Sequence, residues 1–263
     1  MRQTRAKIVL ISEILTTPSE LTGAWSRQYE RVAAVFAELL GSENQRIAEV
    51  GCGSGQLTVP LAKHSMNLRF ILVGGFVGTN YFKNHKALLS NLKTTRLTKR
   101  AHIVVSDSMR WVTTQENDTY EGIISSEFIP ELNSDETRQF IQECYRILKP
   151  EGVTIHSFLS PIPRNFRQRL LITADSNSLW TRTPPREWFS PKPELIAREL
   201  RKAGFHRIRR KTIRARLIMK ADAAKSWLKG AEVRASFYEQ HEKQLNKDGL
   251  EVPDWIVVSG VRP

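Results

Sequence analysis

Along the chain the spacing of apolar residues changes character. Between residues 19 and 40, Val32, Val35, Phe36, Leu39 and Leu40 recur at helical spacing, which predicts an amphipathic helix with one apolar stripe. Ser19 before it and Gly41 after it are start and stop signals. From residue 46 onward, short apolar runs alternate with helical patterns. Strands are predicted at 46–50, 69–73, 102–105, 122–125, 153–158, 207–217 and 255–260, and helices at 56–63, 135–148, 193–203 and 222–246. Such alternation predicts βαβ units. The expected fold class is therefore α/β: a doubly wound, mostly parallel seven-stranded sheet with helices on both faces.

A chain of 263 residues with 40% apolar residues is long enough to bury one substantial core, so residues 1–263 are read as a single domain. No run of apolar residues reaches membrane-spanning length. The first residues, Met1 to Lys7, lead into an apolar stretch too short for a secretory leader. Cys52 and Cys144 have no metal or disulfide spacing, so no metal site is expected. These features read as an intracellular, cytoplasmic protein.

Charge changes the picture in one place. Of the net charge of +13, residues 198–220 contribute +9, from ten Lys and Arg against Glu199 alone. The remainder is unremarkable for a soluble enzyme. Any argument for an acidic partner therefore rests on the 198–220 segment. Its alternation of Ile213, Ala215 and Leu217 with Thr212, Arg214 and Arg216 fits a half-buried edge strand guarded by cations. It also fits an electrostatic footprint for RNA.

The densest chemistry lies in Ala48-Glu49-Val50-Gly51-Cys52-Gly53-Ser54-Gly55, at a predicted strand-to-helix turn. Glycines here permit a sharp bend and close approach of a ligand. The pattern is G-x-G-x-G, with Gln56 after Gly55, so it is not the dinucleotide fingerprint. The Glu49 carboxylate would repel a pyrophosphate and attract the ammonium of a methionyl moiety. The carboxylate of that moiety can then lie against the helix beginning near Gln56.

With these residues the chain resembles the class I S-adenosylmethionine-dependent methyltransferases over about 46–158, with a looser match to the C-terminus. The resemblance implies that Glu49, Gly51, Cys52, Gly53 and Gly55 form the loop that binds the methionine portion of S-adenosylmethionine. It implies that Asp107, with Ser108, meets the adenine after the third strand, and that Gly75 lies where the second strand ends beside the ribose. Leu148-Lys149-Pro150-Glu151-Gly152 resembles the family's L-K-P-G-G turn, with Glu151 in place of the first glycine. The 207–217 and 255–260 strands would form the closing hairpin.

One departure stands out. The family ends its second strand with an acid that holds both ribose hydroxyls, yet no Asp or Glu occurs from Val50 through Ser106. Losing that bidentate contact costs about 1.5–3 kcal/mol of cofactor binding. Thr79, Asn80 or a backbone group is left to take its place.

Glu127 follows the fourth strand, where this fold places reactive groups, and is the candidate catalytic residue. The alternative is a solvated loop carboxylate. Its spacing to Glu136 also resembles the paired glutamates of protein arginine methyltransferases, though the surroundings do not. Trp25 and Tyr29 either cover the cofactor or belong to the core. Segments near 161–193 and 222–246 are expected to shape the acceptor site. The expected function is methyl transfer to a small-molecule acceptor. The alternatives are an RNA methyltransferase using 198–220 and a non-catalytic binding module.

Overall fold

The computed structural model describes residues 13–41, 45–75, 81–176, 191–231 and 233–263. The chain folds into two compact units, one of residues 25–162, 186–214 and 254–263, the other of 1–24, 163–185 and 215–253.

The larger unit is built on strands whose apolar residues face both ways. Ile47, Ala48 and Val50 of β2 (Arg46–Val50) and Phe70, Leu72 and Val73 of β3 (Arg69–Gly74) are fully buried. Burial on both faces is what a parallel sheet covered by helices requires. The other strands are β4 (Ala101–Val105), β5 (Tyr120–Ser126), β6 (Leu148–Leu159), β7 (His206–Ile213) and β10 (Trp255–Val261). Their order is β4-β3-β2-β5-β6-β10-β7. Only β10 runs against its neighbours, antiparallel to β6 and to β7. The expected doubly wound, seven-stranded sheet is therefore present, with its antiparallel strand inserted beside β6.

Helices follow where the apolar periodicity allows. They are α1 (Pro18–Leu40), α2 (Thr58–His64), α3 (Tyr81–Thr94), α4 (Ser108–Thr114), α5 (Ser134–Ile147) and α7 (Pro193–Ala203). α1 begins one residue earlier than predicted, on Pro18, which suits the first helical position. α5 opens with a complete capping box between Asn133 and Glu136. The Glu136 carboxylate is thereby committed to its helix terminus, which is a structural use for the residue paired above with Glu127. α7 ends at Gly204, whose φ of 104° closes the helix in the left-handed region.

The smaller unit contains a three-stranded sheet, β1 (Glu13–Leu15), β8 (Leu217–Met219) and β9 (Leu250–Glu251), in the order β1-β8-β9. Its helices include α6 (Phe166–Ser176), α8 (Ala221–Gly230) and α9 (Ala235–Asp248). Buried Glu251 on β9 accepts from Asn165 and from Gln168 of α6, at 2.9 and 3.1 Å.

Two predicted elements are corrected. The strand expected over 207–217 ends at Ile213, and Leu217 opens β8 in the other sheet. Arg216 lies between them with a φ of 56°, a left-handed turn that breaks the extended run. The helix expected over 222–246 is two helices, parted where Ala231 leaves helical geometry after Gly230.

Candidate functional site

Strand ends place the candidate residues. Glu49, the penultimate residue of β2, reaches the sheet's C-terminal edge, and the chain turns there through Gly51 to Gly55. Both Gly51 and Cys52 donate backbone N–H groups to the Val73 carbonyl, at 2.9 and 3.0 Å, so the loop is pinned to the end of β3. Gly51, Gly53 and Gly55 all have left-handed φ, of 76°, 50° and 79°. Their surroundings separate them into two uses. A Cβ on Gly51 would meet Phe128 at 2.8 Å, and one on Gly55 would meet Leu88 at 2.8 Å. A Cβ on Gly53 would meet nothing within 4 Å. Gly51 and Gly55 therefore serve close packing, and Gly53 faces open space where a ligand can approach.

Glu49 is 2% exposed and accepts a hydrogen bond from the Thr58 hydroxyl on the first turn of α2. Burial pushes its carboxyl up to about 7, partly offset by that bond. The Cys52 thiol is buried too, and burial together with the Glu49 charge pushes it well above its ordinary range. Cys52 is thus a protonated filler, not a nucleophile. α2 begins only at Thr58 and has seven residues. The helix expected from Gln56 is shorter than predicted, so its dipole offers little to a ligand carboxylate.

Gly75 follows β3 and is half-buried; Thr79 and Asn80, named above as ribose partners, lie outside the described residues. Asp107 and Ser108 follow β4, two strands from β2. Asp107 is the N-cap of α4, its Oδ1 accepting from the Arg110 N–H at 2.8 Å. The ordinary structural role of that acid is present, and its exposure leaves it accessible to a ligand as well. Ser108 is buried on the first turn of α4.

Beyond β5 the chain passes through Glu127 with a φ of 58°, an unusual conformation for a residue with a side chain. Its backbone N–H donates to the Ser157 carbonyl of β6 at 2.9 Å, which holds it there. Tyr29 of α1 lies within hydrogen-bond reach of Ser126. Burial, then the nearby Glu127 charge, then that of Glu49 keep its hydroxyl protonated. Tyr29 also meets Trp255 at 5.3 Å between ring centroids, and Trp25 meets Trp255 at 5.9 Å. Tyr29 and Trp255 are buried core residues. On β6, His156 is fully buried between the hydroxyls of Ser125 and Thr154, at 2.9 and 2.8 Å. Burial drives it down to about 3, so it stays neutral and cannot serve as a base near pH 7.

Thr58, Ser126 and His156 carry roles that the sequence pattern alone did not assign to them. Thr58 carried a signal, a hydroxyl on the first turn after the glycine loop. Ser126 read only as the residue before Glu127 and His156 as a strand residue, because their significance lies in cross-strand neighbours.

The basic strand is largely spoken for. Arg207 pairs with Glu151 at 3.2 Å and Lys211 with Glu38 at 2.6 Å, while Arg210 pairs with Glu194. Among the described residues no group of His, Cys, Asp and Glu is arranged to hold a metal, and no helix is long and apolar enough to cross a membrane.

For S-adenosylmethionine the residues fit at the methionyl end: an acid at the strand terminus and an open glycine above it. At the ribose end the chain offers no carboxylate. Glu151 shows the family's turn in altered form, with a φ of 59° at a position where glycine is usual.

Comparison with known proteins agrees with the fold. Residues 47–152 match the family model of a methyltransferase domain. No curated relative matches the chain. Among solved structures it is similar to a putative methyltransferase from Bacillus halodurans (13% identity, 88% of this chain and 98% of that one, TM-score 0.62). It is similar to the cyclase SpnF (15%, 89% and 81%, TM-score 0.60). It is also similar to the S-adenosylmethionine-dependent methyltransferase SibL (16%, 93% and 57%, TM-score 0.58), of which it spans little more than half. Residues 47–152 thus match a methyltransferase domain, and the glycine loop at the end of β2 and the strand order are those of the class I methyltransferase fold.

Proposed function

We propose that the protein moves a methyl group from S-adenosylmethionine to a small-molecule acceptor held at the C-terminal end of β5. The observation that carries this reading is Glu127. A non-glycine residue in the left-handed region costs of order 1–3 kcal/mol and persists only where its surroundings enforce it. Here the enforcement is the bond to Ser157, and the consequence is a carboxylate beside Tyr29 and Ser126 rather than one free in a loop.

When bound, S-adenosylmethionine supplies an activated methyl carbon on its sulfonium, so little covalent chemistry is asked of the protein. Glu49, Gly51, Cys52, Gly53 and Gly55 bind the methionyl end, and Gly75, Asp107 and Ser108 border the nucleoside. Glu127 orients the acceptor's amine or hydroxyl for in-line attack and receives a proton where the acceptor carries one. His156 and Cys52 are excluded as bases by their burial. Of the segments expected to shape the acceptor, 177–190 lie outside the described residues. The free thiols of Cys52 and Cys144 fit a reducing, cytoplasmic setting.

The test is formation of S-adenosylhomocysteine in the presence of a panel of amines, phenols and carboxylic acids. The proposal expects one class to be methylated, with Glu127→Gln lowering kcat by roughly a hundredfold or more. Methylation of tRNA with no small molecule accepted would favour RNA through 198–220. Binding of cofactor without turnover on either substrate class would favour the non-catalytic module.

A further inference from the structure

Glu49 and Thr58 are nine residues apart, joined by one hydrogen bond, and both are closed off from solvent. The groups packed about the Glu49 carboxyl are Tyr29 from α1, Cys52 from the glycine loop and Thr58 from α2, with Glu127 beyond Tyr29 at the end of β5. None of these is a cation, and Tyr29 and Cys52 stay protonated. A carboxyl so placed is half-neutral near pH 7, and a Thr hydroxyl that donates to it favours its charged form. Gly53 leaves open space above the loop.

Resting on the cofactor reading above, we infer that Thr58 is a positioning residue for the cofactor's amino end. Its hydroxyl fixes the Glu49 carboxyl so that the ligand ammonium becomes its counter-charge, and binding releases the Glu49 proton to solvent. The balance is simple. One carboxyl O–H bond breaks, its proton goes to the buffer, and the carboxylate so formed pairs with the ammonium.

S-adenosylhomocysteine keeps the same amine and carboxylate and does not react, so it is the probe. Calorimetric titration of the full chain between pH 5.5 and 8 (about the range over which Glu49 changes charge) reads both affinity and proton release. In wild type, affinity is expected to fall as pH drops below the Glu49 midpoint. Near pH 6, heats in two buffers of different ionisation enthalpy should report proton release approaching one per ligand.

Thr58→Val removes the donor at nearly constant volume. It should move the midpoint upward and weaken binding at pH 7 by roughly three- to tenfold. Thr58→Ser should restore the wild-type profile. Thr58→Ala should show the same upward shift and serves if the valine variant does not fold. Glu49→Gln should abolish proton release.

An unshifted midpoint in the Val or Ala variant, even with a lower Tm, would overturn the inference and leave Thr58 a packing residue. Binding without proton release in wild type would overturn it as well, while leaving cofactor binding intact. Absence of binding at every pH would instead remove the cofactor reading on which it stands.

Discussion

Two buried ionisable side chains give the protein opposite responses to pH. Glu49, raised to about 7 in the fold, is protonated there while the unfolded chain has already ionised it, from about pH 4.5 upward. Its contribution is therefore fully present below that pH and is lost as pH rises through 7. His156, depressed to about 3, is neutral in the fold while the unfolded chain binds a proton below about 6.5. Its contribution is present above 6.5 and is lost as pH falls through 3. Between 4.5 and 6.5 the two slopes have opposite sign and nearly cancel. Glu49→Gln removes one of them. Denaturant melts should then show the variant losing stability relative to wild type as pH is lowered, by of order 1 kcal/mol per pH unit. Parallel curves would place Glu49 in contact with water. The glycines make a second contrast at this scale. Gly51→Ala should lower Tm, because its methyl meets Phe128 as well as an unfavourable φ. Gly53→Ala carries only the backbone cost of about 1 kcal/mol and should act mainly on cofactor affinity. A Gly53→Ala protein with undiminished affinity would remove that glycine from the site. Glu49 and the glycines were legible as chemistry because their residue types are rare in combination. Which glycine packs and which faces open space depends on Phe128 and Leu88, which lie far along the chain.

At the scale of elements, periodicity served where one element covers one face. The helix at 19–40 was legible for that reason, whereas the strands at 46–50 and 255–260, buried on both faces, were legible as short continuous apolar runs. Periodicity misled at 207–217. Ile213, Ala215 and Leu217 are all buried, so the two-residue alternation runs on without interruption, although the chain turns at Arg216 into a different sheet. Binary pattern reports burial and is blind to which sheet does the burying. The same strand carries the choice between edge protection and RNA. Arg207, Arg210 and Lys211 pair with Glu151, Glu194 and Glu38 as exposed ion pairs, worth about 0–1 kcal/mol each. Replacing Arg207 and Arg210 by Gln should change stability by less than about 2 kcal/mol and leave methyl transfer to small molecules unaltered. It should also increase self-association at low salt, measured by sedimentation, as an unguarded edge becomes available. A tRNA affinity that falls steeply with salt and disappears in this variant would instead assign the strand to RNA.

For the molecule as a whole, alternation of strand and helix made the doubly wound sheet legible in the sequence. The smaller unit was not legible, because its strands have two or three residues and its chain is drawn from three separate stretches. No window of sequence contains enough of it to show a period. The loop after β2 is proposed to bind S-adenosylmethionine even though no Asp or Glu occurs from Val50 through Ser106. Calorimetric titration of the chain with S-adenosylmethionine is the decisive measurement. The expected result is saturable one-to-one binding below millimolar concentration. Glu49→Ala should weaken it by roughly tenfold to a hundredfold, while the variant keeps its fold. No heat at millimolar ligand, or an unchanged dissociation constant in folded Glu49→Ala, would contradict it.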